Sequence, residues 1–133
     1  MSEYTSTLEG FQRAMEWSLS GPPEESRAYA EATSTPGFYQ VINGRRRDFD
    51  EYVKGIEEWR AKINDFKPVV DMFLRDGNQL AAHMTGTIKV DGADTAFESF
   101  IFGQVDEESG RLEWMVERSV WGPVGSAPEH GTS

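Results

Sequence analysis

The sequence predicts one α+β domain, a cone-shaped barrel in which three N-terminal helices pack on a strongly bent, mostly antiparallel sheet. Two observations carry this prediction. Residues 67–121 are a run of alternating and aromatic segments divided by turn sequences, which indicates four antiparallel strands. The residues before this run show apolar side chains at helical spacing, interrupted by one short strand. Helices followed by a curled sheet are typical of an α+β domain that encloses a pocket.

Two of the predicted helices precede the first strand. The first covers residues 7–20, where apolar side chains recur at helical spacing and Ser6 with Glu9 forms a capping box. The second is short and begins at the Pro-Pro-Glu-Glu sequence of residues 22–25, because proline and acidic residues favour the first turn of a helix. Both helices are expected to turn apolar side chains inward.

The third helix follows a first strand at residues 38–43. Asp48 and Glu51 form its capping box, and its apolar side chains form one stripe. Between the strand and the helix stands an arginine triplet at residues 45–47. Because short charge runs are usually solvated, this triplet is predicted to be an exposed turn.

Four antiparallel strands are predicted after the third helix. Asp-Gly and Gly-Asn dipeptides between alternating segments are strong hairpin signals, and they mark the turns here. The strands cover residues 69–75, 79–90, 95–105 and 111–121. Residues 1–123 are therefore predicted to be one domain, and the Gly-, Pro- and Ser-rich residues 124–133 are expected to be a disordered tail.

Composition restricts the partners and the location. The 133 residues carry 13 Lys and Arg against 23 Asp and Glu, a net charge of −10, which disfavours nucleic acid and anionic membranes as partners. The chain has no cysteine, and its two histidines and scattered carboxylates lack the spacing of metal ligands, so no metal is expected. No segment is long and apolar enough to span a membrane, and the first residues lack the form of a signal peptide, so a cytoplasmic protein is expected.

Alternation along the strands sorts their side chains into two faces. A loop that pairs Val105 with Arg111 also sets Ser99 opposite Glu117. One face then consists of Asp71, Phe73, Met84, Phe97, Ser99, Ile101, Met115, Glu117, Ser119 and Trp121. The other consists of Val70, Met72, His83, Glu98, Phe100, Phe102, Trp114, Val116 and Arg118. Both faces are largely apolar.

The chain resembles the nuclear transport factor 2-like superfamily over residues 7–121. The matching segments are Asn43-Gly44, residues 49–56, the hairpin DGNQLAAHMTGT and the last strand GRLEWMVERSVWG. Within the superfamily it looks most like the SnoaL-like polyketide cyclases. The resemblance implies the cone-shaped fold. It does not select an activity, because members include cyclases, isomerases, dehydratases, epoxide hydrolases and binding modules.

Ketosteroid isomerase, a member of this superfamily, indicates which face lines the cone. Alignment of the last two strands by pattern places the face with Glu117 inside. The catalytic positions of that enzyme fall on Ala14, Val41 and Ile101, none of which can transfer a proton. Its mechanism is therefore not carried over. The outer face is also apolar, which favours a homodimer joined sheet to sheet.

Glu117 is the candidate catalytic residue. It is predicted among apolar side chains, at about the depth where SnoaL-like cyclases carry their catalytic acid, and burial raises the pKa of a carboxyl toward the range that suits acid/base chemistry. Asp71 is the second candidate and would orient the distal end of the ligand. The predicted substrate-binding residues are Tyr39, Asn43, Tyr52, Trp59, Met84, Ser99, Ile101, Met115 and Trp121. A one-residue change of register would instead bring His83 and Glu98 into the site.

The sequence thus favours a cofactor-independent isomerase, cyclase or dehydratase that acts on a small apolar, polyketide- or terpenoid-like molecule. Tyr39, Ser99 and Asn43 would supply hydrogen bonds to the oxygen atoms of that molecule. A second hypothesis is a non-catalytic ligand-binding or assembly module whose dimer face is its function. The scarcity of polar groups in the pocket favours this second hypothesis, whereas a buried carboxylate without a partner, which is costly, disfavours it.

Overall fold

The computed structural model describes residues 2–124, which form three α-helices and one six-stranded sheet. The helices are α1 (Leu8–Ser18), α2 (Ser26–Thr33) and α3 (Phe49–Lys62). The strands are β1 (Ser34–Ile42), β2 (Arg45–Asp48), β3 (Ile63–Asp76), β4 (Gln79–Val90), β5 (Ala93–Val105) and β6 (Leu112–Pro123). The predicted α+β fold is confirmed. The predicted disordered tail lies, apart from residue 124, outside the described residues.

The sheet is curved and unclosed, and its strands lie in the order β2-β1-β6-β5-β4-β3. β1 runs parallel to β6, and every other neighbouring pair is antiparallel. The helices cover one face of the sheet, here called the inner face. The core between them includes Phe11, Tyr29, Phe38, Val53, Ile88, Ile101 and Val105, all nearly inaccessible to solvent.

Of the two predicted capping boxes, the one at α3 is confirmed and the one at α1 is wrong. The backbone N–H of Asp48 donates to Glu51 Oε1 at 3.1 Å. At α1 the cap is Thr7, whose Oγ1 accepts from the N–H of Gly10 at 3.0 Å. Ser6 does not cap because its hydroxyl donates to the carbonyl four residues earlier. Within residues 2–124, no helix combines the length and the apolarity needed to cross a membrane.

Two polar side chains fix the helices in place. Gln12 of α1 donates to the carbonyl of Pro68 and accepts from the N–H of Val70, both at 2.7 Å, which attaches α1 to the start of β3. Arg60 of α3 is buried and donates to the carbonyls of residues 17–18, at the end of α1, at 2.6 and 3.2 Å. A buried charge needs such partners, since burial without hydrogen bonds is costly.

The arginine triplet forms an edge strand, so the predicted solvated turn is wrong. Asn43 and Gly44 have φ angles of 49° and 85° and make a two-residue turn in the left-handed region. Asn-Gly is the dipeptide that this type of turn favours. The turn pairs β2 with β1 from Ile42 opposite Arg45 to Tyr39 opposite Asp48.

A bulge in β3 reverses the predicted faces at one place. Val70 pairs with Met84 and Met72 pairs with His83, so Asp71 is the extra, unpaired residue between them. A bulge adds one extra residue to the strand, so the alternation of side chains between the two faces is interrupted there. Val70 therefore lies on the inner face with 4% of its surface exposed, and the predicted inward position of Asp71 is wrong.

A second bulge and a one-residue difference in the preceding loop change the register between β5 and β6 without changing the faces. Glu113 is the extra residue, since Gln104 pairs with the residue after it and Val105 with the residue before it. The preceding loop also ends one residue later than predicted, since Val105 pairs with Leu112 and not with Arg111. The loop and the bulge together place Ser99 opposite Ser119, whereas the predicted register placed it opposite Glu117. The shift is two residues, and an even shift leaves every side chain on its predicted face.

Candidate active site

A cavity of about 460 Å³ lies between the three helices and the inner face of the sheet. Four rings on one side are arranged in series: Trp59 and Trp121 stack at 5.4 Å, Trp121 and Phe97 at 4.9 Å, and Phe97 and Phe66 at 5.8 Å. The aliphatic part of the wall comes from Met15, Leu19, Ile56, Met84 and Met115. Sites for small organic ligands typically measure roughly 300–1,000 Å³ and have mainly apolar walls.

The carboxyl of Glu117 points into this cavity from the middle of β6. Its Oε2 accepts a hydrogen bond from the hydroxyl of Ser119 at 2.7 Å, and its Oε1 lies 3.5 Å from the amide nitrogen of Gln40. Ser99 Oγ lies 2.7 Å from Ser119 Oγ. The hydroxyls of Ser99 and Ser119 and the carboxyl of Glu117 therefore form one hydrogen-bonded cluster.

Burial raises the pKa of Glu117 above its ordinary value. Hydrogen bonds from Ser119, Ser99 and Gln40 and the positive charge of Arg47 oppose this rise but do not cancel it. Low polarity around a carboxyl disfavours its charged form, whereas donors favour it. A carboxyl that gives up its proton less readily than usual is suited to accept and return a proton near neutral pH.

Two tyrosines supply further polar atoms on the helical side of the cavity. Tyr29 of α2 and Tyr52 of α3 line it and hydrogen-bond to each other. Burial raises the pKa of both phenols, so that both remain neutral hydroxyls over the physiological range. Neutral hydroxyls can donate hydrogen bonds to a carbonyl or alkoxide oxygen of a bound molecule.

The structure brings eight of the eleven predicted site residues to the cavity. They are Asn43, Tyr52, Trp59, Met84, Ser99, Met115, Glu117 and Trp121. Tyr39 is not among the lining residues, and its ring packs under the guanidinium of Arg46, whose carbon lies 3.9 Å from the ring centroid. Ile101 is on the inner face but is a fully buried core residue. The functional roles of the lining residues remain predictions.

Asn43 lines the cavity, but its amide is already used by the backbone. Its Oδ1 accepts from the N–H of Ser119 at 2.9 Å, and its Nδ2 donates to the carbonyl of Ser119 at 3.2 Å. Its own backbone N–H donates to the carbonyl of Glu117 at 2.9 Å. Asn43 therefore holds β6 in register beside the catalytic candidate, which makes it a positioning residue.

Asp71 belongs to a polar cluster on the opposite, outer face of the sheet. His83 Nδ1 lies 2.6 Å from Asp71 Oδ1, and His83 Nε2 lies 2.7 Å from Glu98 Oε2. Burial alone lowers the pKa of His83, but the hydrogen bonds and charges of the two carboxylates outweigh burial and raise it. The alternative site at His83 and Glu98 is thus separated from the cavity by the sheet. The predicted role of Asp71 at the distal end of the ligand does not fit this position.

The polar cavity residues that sequence reasoning did not assign to the site include Tyr29, Gln40, Arg45 and Arg47. Gln40 reaches Glu117 because β1 lies parallel to β6, a pairing between strands far apart in the chain that alternation alone does not reveal. The two arginines lie on β2, which was not predicted to be a strand. The signal for it was the Asn-Gly turn at residues 43–44.

The described part of the chain contains no group of three or more His, Asp or Glu side chains arranged to hold a metal ion. No protein-family model and no curated protein matches the sequence. Many solved structures match the fold. The relation to known proteins is therefore structural.

Three solved structures illustrate this relation. BvnE pinacolase from Penicillium brevicompactum superposes with a TM-score of 0.69 at 9% identity, over 88% of this chain and 82% of that one. An LEH-like epoxide hydrolase from M. tuberculosis superposes with a TM-score of 0.62 at 16% identity, over 82% of this chain and 81% of that one. The de novo designed NTF2 fold protein NT-9 superposes with a TM-score of 0.58 at 17% identity, over 84% of this chain and 85% of that one. The chain therefore has the nuclear transport factor 2-like fold, as its sequence predicts. Identities this low show the fold and leave the activity open.

Proposed function

We propose that the protein is a cofactor-independent enzyme that moves a proton on a small apolar molecule held in the cavity. The observation that carries this proposal is the carboxyl of Glu117, which combines a raised pKa with a position in an apolar cavity large enough for such a molecule. Similar folds named as a pinacolase and an epoxide hydrolase support an enzymatic use of this architecture.

Glu117 would act as general acid or base. In an isomerisation, its carboxylate removes a proton from a carbon beside a carbonyl and returns it to another carbon. In a dehydration or cyclisation, the protonated carboxyl gives its proton to a departing or attacked oxygen. Tyr29, whose oxygen accepts a hydrogen bond from Tyr52, would donate its own hydroxyl hydrogen to the oxygen on which negative charge develops. The apolar walls strengthen this bond by excluding water.

Solvent exchange tests the proposal on a panel of candidate substrates. The protein is incubated in D₂O with cyclic ketones, tertiary alcohols and epoxides of polyketide and terpenoid type, and products and deuterium uptake are followed by mass spectrometry. We expect Glu117→Gln to lower turnover of an accepted compound by about 100-fold or more, the usual effect of removing a general acid/base. Glu107→Gln, in the exposed loop before β6, is the matched control and should keep full turnover.

Equal turnover by the wild type and Glu117→Gln would exclude Glu117 as the acid/base. Binding of compounds in the cavity without any turnover or exchange would instead support the second hypothesis, a ligand-binding module. The same polar groups would then serve recognition only, as they do in many sites of this type.

We also propose that the protein is a homodimer joined through the outer face of the sheet. Val69, Met72, Leu74, Phe102 and Val120 lie on this face, and each exposes more than half of its surface. Contiguous apolar surface of this kind is typical of protein interfaces. A second copy of the chain offers the same apolar surface in a symmetric, self-complementary contact.

A further inference from the structure

We propose that Arg45 and Arg47 form an anion-binding subsite at the mouth of the cavity, so that the molecule bound there is an organic acid. Its apolar body would lie against the aromatic wall, and its single carboxylate or phosphate group would face the two guanidinium groups. This inference rests on the proposed function, because it names the chemical class of the molecule that the same cavity takes.

The alternation of β2 places two of its three arginines at the cavity. Arg45 and Arg47 both line it, whereas Arg46 points to the other side, where it packs over Tyr39 and pairs with Asp48 at 3.2 Å. Side chains two residues apart in a strand lie on the same face. The edge strand thus presents two positive charges to a cavity whose walls are mainly apolar.

Neither arginine at the cavity forms an ion pair with a carboxylate among residues 2–124. The ion pairs in this part of the chain involve Arg13, Arg27, Arg46, His83 and Lys89. The chain has 23 acidic residues against 13 basic ones, so carboxylates are plentiful. Two guanidinium groups without ion pairs beside an apolar space therefore leave donors available for an anion from outside. Arginine binds carboxylates and phosphates through two parallel hydrogen bonds.

A glycine in α3 makes the space that Arg47 occupies. Gly55 is buried in the middle of the helix and lines the cavity, and a Cβ atom placed on it would collide with Arg47 Nη1. Glycine is unfavourable inside a helix, so its presence calls for a local reason. Here the missing side chain lets the guanidinium lie against the helix at the cavity mouth, which indicates a built position for this charge rather than a free surface arginine.

A pair of shape-matched ligands tests the subsite: 2-naphthoate and the neutral 2-naphthamide. Binding is followed by NMR through the indole N–H signals of Trp59 and Trp121, which line the cavity, with Trp114 on the outer face as the internal reference. We expect 2-naphthoate to shift the two cavity signals and to bind wild type more tightly than 2-naphthamide.

The double variant Arg45→Gln/Arg47→Gln should weaken 2-naphthoate binding by about tenfold or more, since hydrogen bonds to charged groups contribute at least that much. It should leave 2-naphthamide binding unchanged, which shows that the cavity remains folded. Arg46→Gln, on the same strand but the opposite side, is the matched control and should change neither affinity.

Equal affinity of the acid and the amide for the wild type, or a preference for the acid that persists in the double variant, would overturn the subsite. Either result leaves the proposed acid/base role intact, because it depends on Glu117 and the apolar cavity. Conversely, unchanged turnover by Glu117→Gln would defeat the acid/base role without affecting the preference for 2-naphthoate.

Discussion

Among single residues, Glu117 makes the stability of the protein depend on pH. Burial raises the pKa of its carboxyl in the folded protein, and donors from two serines and a glutamine offset only part of this rise. The carboxyl therefore ionises more readily in the unfolded chain. Below the ordinary pKa both states are protonated and Glu117 has no effect on folding. Between the ordinary pKa and the raised pKa, each rise in pH lowers the free energy of unfolding, because the carboxyl ionises only in the unfolded chain. Above the raised pKa the loss of stability is complete and stays constant.

The effect of Glu117 on stability is tested by the Glu117→Gln variant. This variant should be more stable than the wild type at neutral pH, because the amide cannot ionise yet can still hydrogen-bond to Ser119 and Gln40. The difference in the free energy of unfolding should shrink as the pH falls toward the ordinary pKa of a glutamate, about 4. Urea denaturation at several pH values measures it, with Glu107→Gln as control. A variant that is less stable than the wild type at neutral pH would contradict the raised pKa.

The two candidate carboxylates show how far alternation predicts side-chain positions. Glu117 lies on the face where alternation places it, because the bulge in its strand and the loop before it each shift the pairing by one residue, which makes an even total. Asp71 lies on the face opposite to the one that alternation predicts, because the bulge falls on Asp71 itself. Bulges depend on contacts between strands, and a single sequence carries little information about them.

At the level of secondary-structure elements, α3 and β2 act together at the cavity mouth. Gly55 in α3 provides the space for the guanidinium of Arg47, at the expense of helix stability. Arg47 is held at its Cα by β2, but its guanidinium is the mobile end of a long side chain. A methyl group at residue 55 can therefore displace it cheaply.

Gly55→Ala should stabilise the protein and weaken binding of an acid. Replacing a glycine in the interior of a helix by alanine raises the free energy of unfolding by about 0.5–1 kcal/mol. The displaced guanidinium of Arg47 would no longer face the cavity, which weakens binding of the acid. Thermal denaturation and the 2-naphthoate titration measure the two effects. Gly10→Ala is the contrasting control, because its Cβ would meet the rigid backbone carbonyl of Glu3, and it should destabilise. A destabilised Gly55→Ala would contradict a readily displaced guanidinium.

The edge strand β2 also explains why sequence reasoning overlooked the arginines. A run of three basic residues favours a solvated turn when its neighbours are ignored, and only the preceding Asn-Gly turn indicates a hairpin. The strand has four residues and gains its order from pairing with β1. Short edge strands of charged residues are a common protection of a sheet against further pairing. The charge pattern alone could not distinguish a solvated turn from a short edge strand.

At the scale of the whole molecule, the fold is the most predictable property of this chain. The β4 strand has the predicted bounds, Gln79–Val90, because strong turn signals stand at both ends. The extent of β3 was underestimated, since its first half carries charged residues and a proline that weaken the strand pattern. The parallel contact between β1 and β6, which brings Gln40 to the site, joins distant parts of the chain and has no local signal.

The outer face leads to the last prediction, on assembly. Phe102 lies in the last third of β5 on this face, with 58% of its surface exposed. In a dimer joined through this face, Phe102→Glu would bury an unpaired charge, which costs several kcal/mol, so we expect the dissociation constant to rise by about 100-fold or more. Sedimentation equilibrium should show wild type at twice the mass of one chain and the variant as a monomer. Val124→Glu, at an exposed residue beyond β6, adds the same charge and should stay dimeric. A wild type that is monomeric at micromolar concentration would rule out this interface.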